Sequence, residues 1–415
     1  MNILHVASFN GNIGDHLNHM GFRRTLEEIY QTNPFSLPYS PISYTELEMR
    51  EFYRSWNLRK FDRDFAAYAN QFDLVVFGGG NFFELCWDYS ATGTTIDLSD
   101  EVLDAITTPI LFNGLGVDDK RGTVSQDNIR KFGVFLERLI ERNEYLTVRN
   151  DGSKEILARY YDADITKNIR KIPDGGFFVK PRYYEHAELP HVGQSYPDLS
   201  EQRLEKKRTV LAVNVAGDSI GVRFALKESK ERLSVEAFCR ECQTALRHLL
   251  EHNSELYLVM VPHISKDLEL ICQIISGLPD PLLRTRVSVA PCLNGARTDG
   301  AYIADLYRQS DVAVGMRYHA NIAAIAGNTP TIGIVNLEKH KKMYEDIGLS
   351  HRLLPSDEPD FAHRLIERVN RILANPGLQQ EENQRVLNRL EQENRSYLTD
   401  MLGWLAKRRI GGYQV

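Results

Sequence analysis

Cysteine is scarce in this sequence of 415 residues, and so is any surplus of positive charge. Cys86, Cys239, Cys242, Cys272 and Cys292 are an odd, thinly spread set, which excludes a disulfide framework and fits reduced thiols in the cytoplasm. With 50 Lys and Arg against 56 Asp and Glu, no basic excess exists to neutralise a phosphate backbone by counterion release. Nucleic acid is therefore not expected as a partner. No run approaches the roughly 18 apolar residues that span a bilayer. The opening "MNILHVASFNGNIGDH" lacks the basic start and long apolar centre of a secretion signal. A cytoplasmic protein without a transmembrane segment is expected.

A composition of 42% hydrophobic and 26% charged residues can build cores, and the length suits two domains. The chain alternates strand-like and helix-like segments twice. The first round holds "NILHVAS", "FDLVVFGGG", "PILFNGLGV" and "YLTVRN", short apolar runs stopped by Gly, Asn or Asp, with segments such as "HLNHMGFRRTLEEIYQ" between them. The second runs from "TVLAVNVAGD" through "ELYLVMVPH", "RVSVAP" and "DVAVGM" to "TIGIV", again with helical crossovers. This is a doubly wound α/β order. A polar, Pro-bearing stretch separates the rounds. The expected division is therefore a first domain over 1–182, a linker over 183–207, a second domain over 208–375, and a closing helix with its tail over 376–415. Leu387, Leu390, Leu398 and Leu402 are the side chains expected to pack that helix.

Ligands of open α/β sheets collect beyond the carboxyl ends of the strands, so the residues following each apolar run carry the chemical reading. After the first strand, "SFNGNIGD" offers Asn12 and Asp15 beside Gly11 and Gly14; after a later one, "FGGGNFFE" offers Asn81 and Glu84. Neither is the dinucleotide G-x-G-x-x-G, and neither has the Lys of a P-loop. The second half is more pointed. Arg317 and His319 follow "DVAVGM" directly, at the start of a helix whose N-terminal N–H groups favour anions. Arg supplies a planar fork for carboxylate or phosphate, and His can give up a proton near neutral pH. Lys339 follows the next strand, and His263 with Asp267 follows an earlier one. The competing reading is structural: Arg317 paired with a carboxylate, His263 a satisfied turn residue. Cys239 and Cys242 form C-x-x-C inside an amphipathic helix with no second pair, and read as core thiols rather than a zinc knuckle. No G-x-S-x-G elbow and no metal-ligand spacing of His is present. "AKRRIGG" near the end reads as a solvated tail, with peripheral membrane contact as its alternative.

From "GNIGD" through "VVFGGGNFF", "GLGV", "TVRNDGS" and "IPDGGF" to "MRYHANIAAIAGNTPTIGI" with Lys339 and "DIGL", the chain resembles the polysaccharide pyruvyltransferases. The resemblance implies two Rossmann-like domains facing across a cleft, similar to the GT-B glycosyltransferases. It also implies transfer of a pyruvyl group from phosphoenolpyruvate, as co-substrate and with no further cofactor, to two hydroxyls of a sugar in a glycan or its lipid-linked or nucleotide-linked precursor. Arg317 and His319 inherit the donor-binding role of the family's Arg-x-His. Many relatives carry an Arg at the end of the second domain's first strand, where this chain reads "LAVNVAGDSIGVRF"; Arg223 is the nearest candidate.

Such a ketal-forming reaction needs an acid for the donor's methylene, a clamp for its carboxylate and phosphate, and a base for the sugar hydroxyl. The expected assignments are His319 as acid or phosphate hydrogen-bond donor, with Arg317 and Lys339 as the clamp. His263 is a second proton carrier, and Asn12, Asp15, Asn81 and Glu84 are the candidates for the base and the acceptor contacts. No metal is required. Two other readings stay open: a GT-B glycosyltransferase using a nucleotide sugar, and a glycan-binding relative without turnover.

Overall fold

The computed structural model describes residues 1–32, 41–119, 124–180, 182–190, 208–218, 234–293 and 298–411. These fall into two compact units. One comprises residues 1–10, 18–178 and 389 onward; the other comprises Gly11–Leu17 and 179–388.

In the first unit, β1 (Asn2–Ala7), β2 (Ser43–Glu48), β3 (Leu74–Glu84), β4 (Ile110–Asp118), β5 (Tyr145–Arg149) and β6 (Ile169–Ile172) form a sheet in the order β2-β1-β3-β4-β5-β6. Every neighbouring pair is parallel. The crossovers carry α1 (Ile13–Gln31), α2 (Arg63–Ala69), α3 (Asp100–Ala105), α4 (Gln126–Glu141), α5 (Ser153–Tyr160) and α6 (Ala163–Thr166). Caps fix the helix starts: Ser125 accepts from the Asn128 N–H to open α4, and Asp62 from Phe65 to open α2. One face of the sheet buries Phe77, Phe112, Phe132 and their neighbours, with the Phe77 and Phe112 rings stacked at 5.3 Å.

The second unit holds β7 (Thr209–Asn214), β8 (Leu256–Met260), β9 (Val287–Val289), β10 (Val312–Gly315), β11 (Thr331–Val335) and β12 (Leu353–Pro355). Their order is β12-β11-β10-β7-β8-β9, again parallel throughout. Its helices are α7 (Val235–His252), α8 (Ser265–Ile275), α9 (Asp280–Arg286), α10 (Gly300–Arg308), α11 (Tyr318–Ala326), α12 (Glu338–Ile347) and α13 (Phe361–Ala374), followed by α14 (Pro376–Gly411). Cys239 and Cys242 lie buried in α7 within this core, where burial raises both thiol pKa values. Counting from β7, the strand order reads 3-2-1-4-5-6, the Rossmann order, so the direction of winding reverses between β7 and β10. Strand-end residues at that reversal are the ones placed to meet a ligand.

Two segments fall into the units in ways that bear on the site. Gly11–Leu17, which includes the first turn of α1, groups with the second unit, where Ile13 and Leu17 pack with Val210, Ile303 and Ala320. Residues 182–190, in the stretch between the two rounds of strands, pack against α10: the Tyr184 N–H donates to Asp305 at 2.9 Å, and the buried His186 ring bridges Asp305 and Glu188.

Helix α14 starts in the second unit and ends in the first. There its Tyr397, Leu398, Met401, Leu402 and Leu405 cover the sheet face that carries Ile3, Val76 and Leu111. Leu390, Leu398 and Leu402 are buried, and Leu387 is half-buried. Truncating Leu402 to Ala removes a fully buried side chain and is expected to cost about 2–5 kcal/mol, read as a lowered denaturant midpoint.

Candidate functional site

Arg317 is the N-cap of α11 and stands one residue beyond Met316 at the end of β10. Three contacts fix it. Its backbone N–H donates to the side-chain oxygen of Asn214, the last residue of β7, at 2.8 Å. Its guanidinium meets Asp267 through Nε at 2.7 Å and Nη2 at 2.5 Å, and Nη2 also meets Asp218 at 2.7 Å. Asn214 in turn donates to the Val261 carbonyl at 2.8 Å, tying the end of β8 into the same junction.

Asp267 is the hub of this arrangement. It is fully buried, the third residue of α8, and accepts from the N–H groups of His263 at 2.9 Å, Ile264 at 3.2 Å and Gly217 at 3.0 Å besides the two guanidinium bonds. Five donors on one carboxylate hold the segments after β7, β8 and β10 in a single constellation. A buried carboxylate is tolerable only when saturated in this way. The pairing of Arg317 with a carboxylate is thus realised, and its cation is held above the ordinary pKa by Asp267 and Asp218 against the opposing effect of burial. Of its two carboxylate partners, only Asp218 is substantially exposed.

His319 lies on the first turn of α11, edge-on to Tyr318 with ring centroids 5.0 Å apart. The turn at Gly14 comes so close that a Cβ there would sit 2.1 Å from His319 Nδ1, so only glycine fits. Asn12 shapes that turn by accepting from the Gly14 N–H at 2.9 Å, and the neighbouring His16 accepts from the Gly300 N–H at 2.9 Å at the start of α10. The structure therefore brings Asn12, Gly14 and Asp15 to the same unit as Arg317 and His319.

His263 is wholly buried, bonded through Nε2 to the Tyr307 hydroxyl at 2.9 Å; Nδ1 is buried without a hydrogen-bond partner among the described residues. Burial first, then the charges of Arg317 and His319, push its pKa well below 6.5. It is a neutral ring. Lys339 is the second residue of α12, beyond the end of β11, adjacent in the sheet to β10. Arg223 lies outside the described residues.

Asn81 and Glu84 belong to the first unit, at the end of β3. They join a separate buried polar network. Asn81 donates to Glu84 at 3.1 Å and to Asp118 at 3.3 Å and accepts from Arg149 at 3.3 Å, while Arg149 pairs with Asp151 and lies 3.9 Å from Asp174. Glu84 is almost fully buried and also accepts from Trp87 and Thr95.

Several residues escaped the sequence reading. Asn214 and Arg149 are polar residues ending apolar runs, and "TVRNDGS" and "IPDGGF" supply Asp151 and Asp174; a charged or amide side chain at the last position of a buried strand is the signal for them. Asn336, directly after β11, is fully buried with neither amide atom bonded among the described residues.

Taken together, two parallel, doubly wound six-stranded sheets, the second in the Rossmann order, define an α/β protein of two Rossmann-like units. Solved structures agree on the fold. A protein assigned as a UDP-N-acetylglucosamine 2-epimerase from Listeria monocytogenes is similar at 12% identity and TM-score 0.52, covering 94% of each chain. A glycosyltransferase from Rickettsia africae is similar at 12% identity and TM-score 0.50, covering 100% of this chain and 97% of that one. A UDP-forming α,α-trehalose-phosphate synthase from Burkholderia vietnamiensis, also at 12% identity and TM-score 0.50, covers 98% and 97%. No curated protein sequence matches. The polysaccharide pyruvyl transferase family model matches residues 12–275 and 301–338, most of the chain, and the chain belongs to that family. Among the described residues no helix is long and apolar enough to cross a membrane.

Two outcomes follow from the hub. Asp267→Ala takes away the buried partner of the Arg317 guanidinium, leaving only the more exposed Asp218, and is expected to cost about 3–5 kcal/mol, measurable as a lowered unfolding midpoint. For His263, the unfolded ring takes up a proton below about pH 6.5 that the folded ring refuses. Its contribution is therefore intact above pH 6.5 and lost as the pH falls toward the depressed folded value. Unfolding midpoints measured from pH 7.5 down to about pH 5 should fall less steeply for His263→Gln than for the parent chain.

Proposed function

We propose that this protein transfers a pyruvyl group from phosphoenolpyruvate to two hydroxyls of a saccharide, forming a cyclic ketal and releasing inorganic phosphate. The observation that carries the reading is the fixed Arg317–His319 pair at the β7/β10 reversal, inside the part of the chain that the family matches.

The donor is a small dianion or trianion, and the second unit offers three groups suited to it. Arg317 presents a guanidinium whose Nε is committed to the buried Asp267, while Nη2 shares its bonds between Asp267 and the more exposed Asp218. A donor carboxylate or phosphate binds by displacing Asp218, leaving Asp267 to hold the fork in place. His319, at a helix N-terminus, protonates the methylene or donates to the phosphate, and Lys339 adds charge from the neighbouring strand end.

Protonation of the methylene makes the second carbon electrophilic. One sugar hydroxyl adds there, the carbon–oxygen bond to phosphate breaks, and the second hydroxyl closes the ring. Of the two hydroxyl protons released, one replaces the proton given to the methylene and one leaves with phosphate. Asp15, next to the Gly14 that touches His319, is the carboxylate we assign as base. Buried and neutral, His263 acts behind the clamp by keeping Tyr307 and the segment after β8 in place. Asn12 supports the Gly14 turn, and for the half-buried Asn81, beside the buried Glu84 in the first unit, we retain a saccharide contact.

The test is incubation of the purified chain with phosphoenolpyruvate and a panel of aryl and lipid-linked glycosides, following phosphate release and product mass. Phosphate with a product heavier by one pyruvate minus water is expected. Release of nucleotide from a nucleotide sugar would replace this reading with a glycosyltransferase, and saccharide binding without donor consumption would replace it with a lectin-like role. Once activity is established, Arg317→Ala should lose about 2–5 kcal/mol of transition-state stabilisation in kcat/KM. Asp218→Asn, which removes the competitor for Nη2, should leave the donor KM unchanged or lower.

A further inference from the structure

Far from the strand ends that carry Arg317, the opposite end of β11 opens into a cavity of about 400 Å³. Thr331 and Ile332, the first residues of β11, form its base, so it lies roughly 13 Å along the strand from the β11 end that precedes Lys339. Helix α13 and the first turns of α14 complete the walls.

Four arginines line it: Arg352, Arg364, Arg368 and Arg371. Arg364, Arg368 and Arg371 recur at spacings of four and three and so share one face of α13. Two of them have carboxylate partners, Arg364 with Glu358 at 3.3 Å and Arg371 with Glu367 at 2.6 Å. No carboxylate pairs with Arg368 among the described residues; its recorded hydrogen bond is to the His351 carbonyl at 3.2 Å. Its cation is disfavoured, by burial first and then by Arg364 and Arg371. Arg352 has a fully buried side chain, bonded to Asn383 at 2.6 Å and Glu382 at 2.7 Å, yet its Nε is buried without a partner among the described residues.

A half-buried guanidinium crowded by like charge, beside a buried one with an unused donor, is an arrangement that an anion relieves. Beyond the arginines the lining is mixed: Ile332, Ile372 and Leu378 are aliphatic, Asn375 and Gln379 carry amides, and the two acids, Glu367 and Glu382, are those already paired with Arg371 and Arg352, so the cations stay in excess. No Phe, Tyr or Trp lines the cavity among the described residues, and the His351 imidazole in its lining is engaged by Glu382 at 3.2 Å. An excess of cations with amides and aliphatic patches suits an acidic sugar. We propose that this cavity is a second ligand site, binding a saccharide that bears a phosphate or carboxylate group. The inference rests on the family's saccharide chemistry but not on phosphoenolpyruvate being the donor.

Calorimetric titration of the full chain with glucose 6-phosphate, glucuronic acid and glucose tests it, in the parent and in Arg317→Ala. At least one acidic sugar is expected to bind both forms, glucose neither; which acid binds identifies the anion. Arg368→Gln and the surface variant Arg371→Gln should each weaken that binding, the former by about tenfold or more. Absence of binding by both acidic sugars, equal binding of glucose, loss in Arg317→Ala, or unchanged affinity in both α13 variants would overturn the proposal. Because the readout is binding at α13 rather than turnover, its failure leaves the donor assignment untouched, and the reverse holds.

Discussion

The second unit depends on one carboxylate. Asp267 gathers the backbone after β7, the backbone after β8 and the guanidinium after β10, three segments that parallel winding brings side by side and that Asn214 also ties together at the strand ends. Taking both charges out of water is costly, and the cost is met only because five donors converge on the acid and the fork geometry is bidentate. In the reading proposed here, the same pair that stabilises the junction also sets what the junction binds. It leaves a guanidinium pinned by the buried Asp267 and contacted also by the more exposed Asp218, the acid we propose the donor displaces.

Around that pair the fold supplies the rest at little further expense. The N-terminus of α11 begins at Arg317, so the backbone donors of its first turn and the cation lie together. Gly14 lets a turn from the start of the chain come against His319, and Asn214 secures the Arg317 backbone from across the winding reversal. His263 and Tyr307 close the constellation from behind as an uncharged pair. The first unit repeats the scheme with a different balance, one arginine, Arg149, among several acids. Both units thus concentrate polar groups where their strands end.

Much of this was legible before any coordinates. The apolar runs marked β1, β3, β4 and β5 and, in the second round, β7 through β11, because strands buried on both faces read as continuous apolar segments. The missed strands are β2, β6 and β12. Two of them are short or polar, "SYTELE" and "LLP", and all three sit at or beside sheet edges, where one side is spared full burial. Arg317 and His319 stood out because polar residues directly after a buried strand are unexpected. What the chain alone could not disclose was partnership. Asp267 and Arg317 are 50 residues apart and meet only through the crossover geometry, and the contact of Gly14 with His319 spans most of the sequence. Composition and periodicity report which face a residue takes, whereas pairing across crossovers is set by the order of the strands.

The central claim is that Asp267 and Arg317 act on the donor as a unit. A double-mutant cycle with Asp267→Asn, Arg317→Gln and the combined variant, read by titration with phosphoenolpyruvate, measures that coupling directly. The account predicts that either single change weakens binding about as much as both together. Losses that simply add would show that the guanidinium recognises the donor without the carboxylate, and would contradict it.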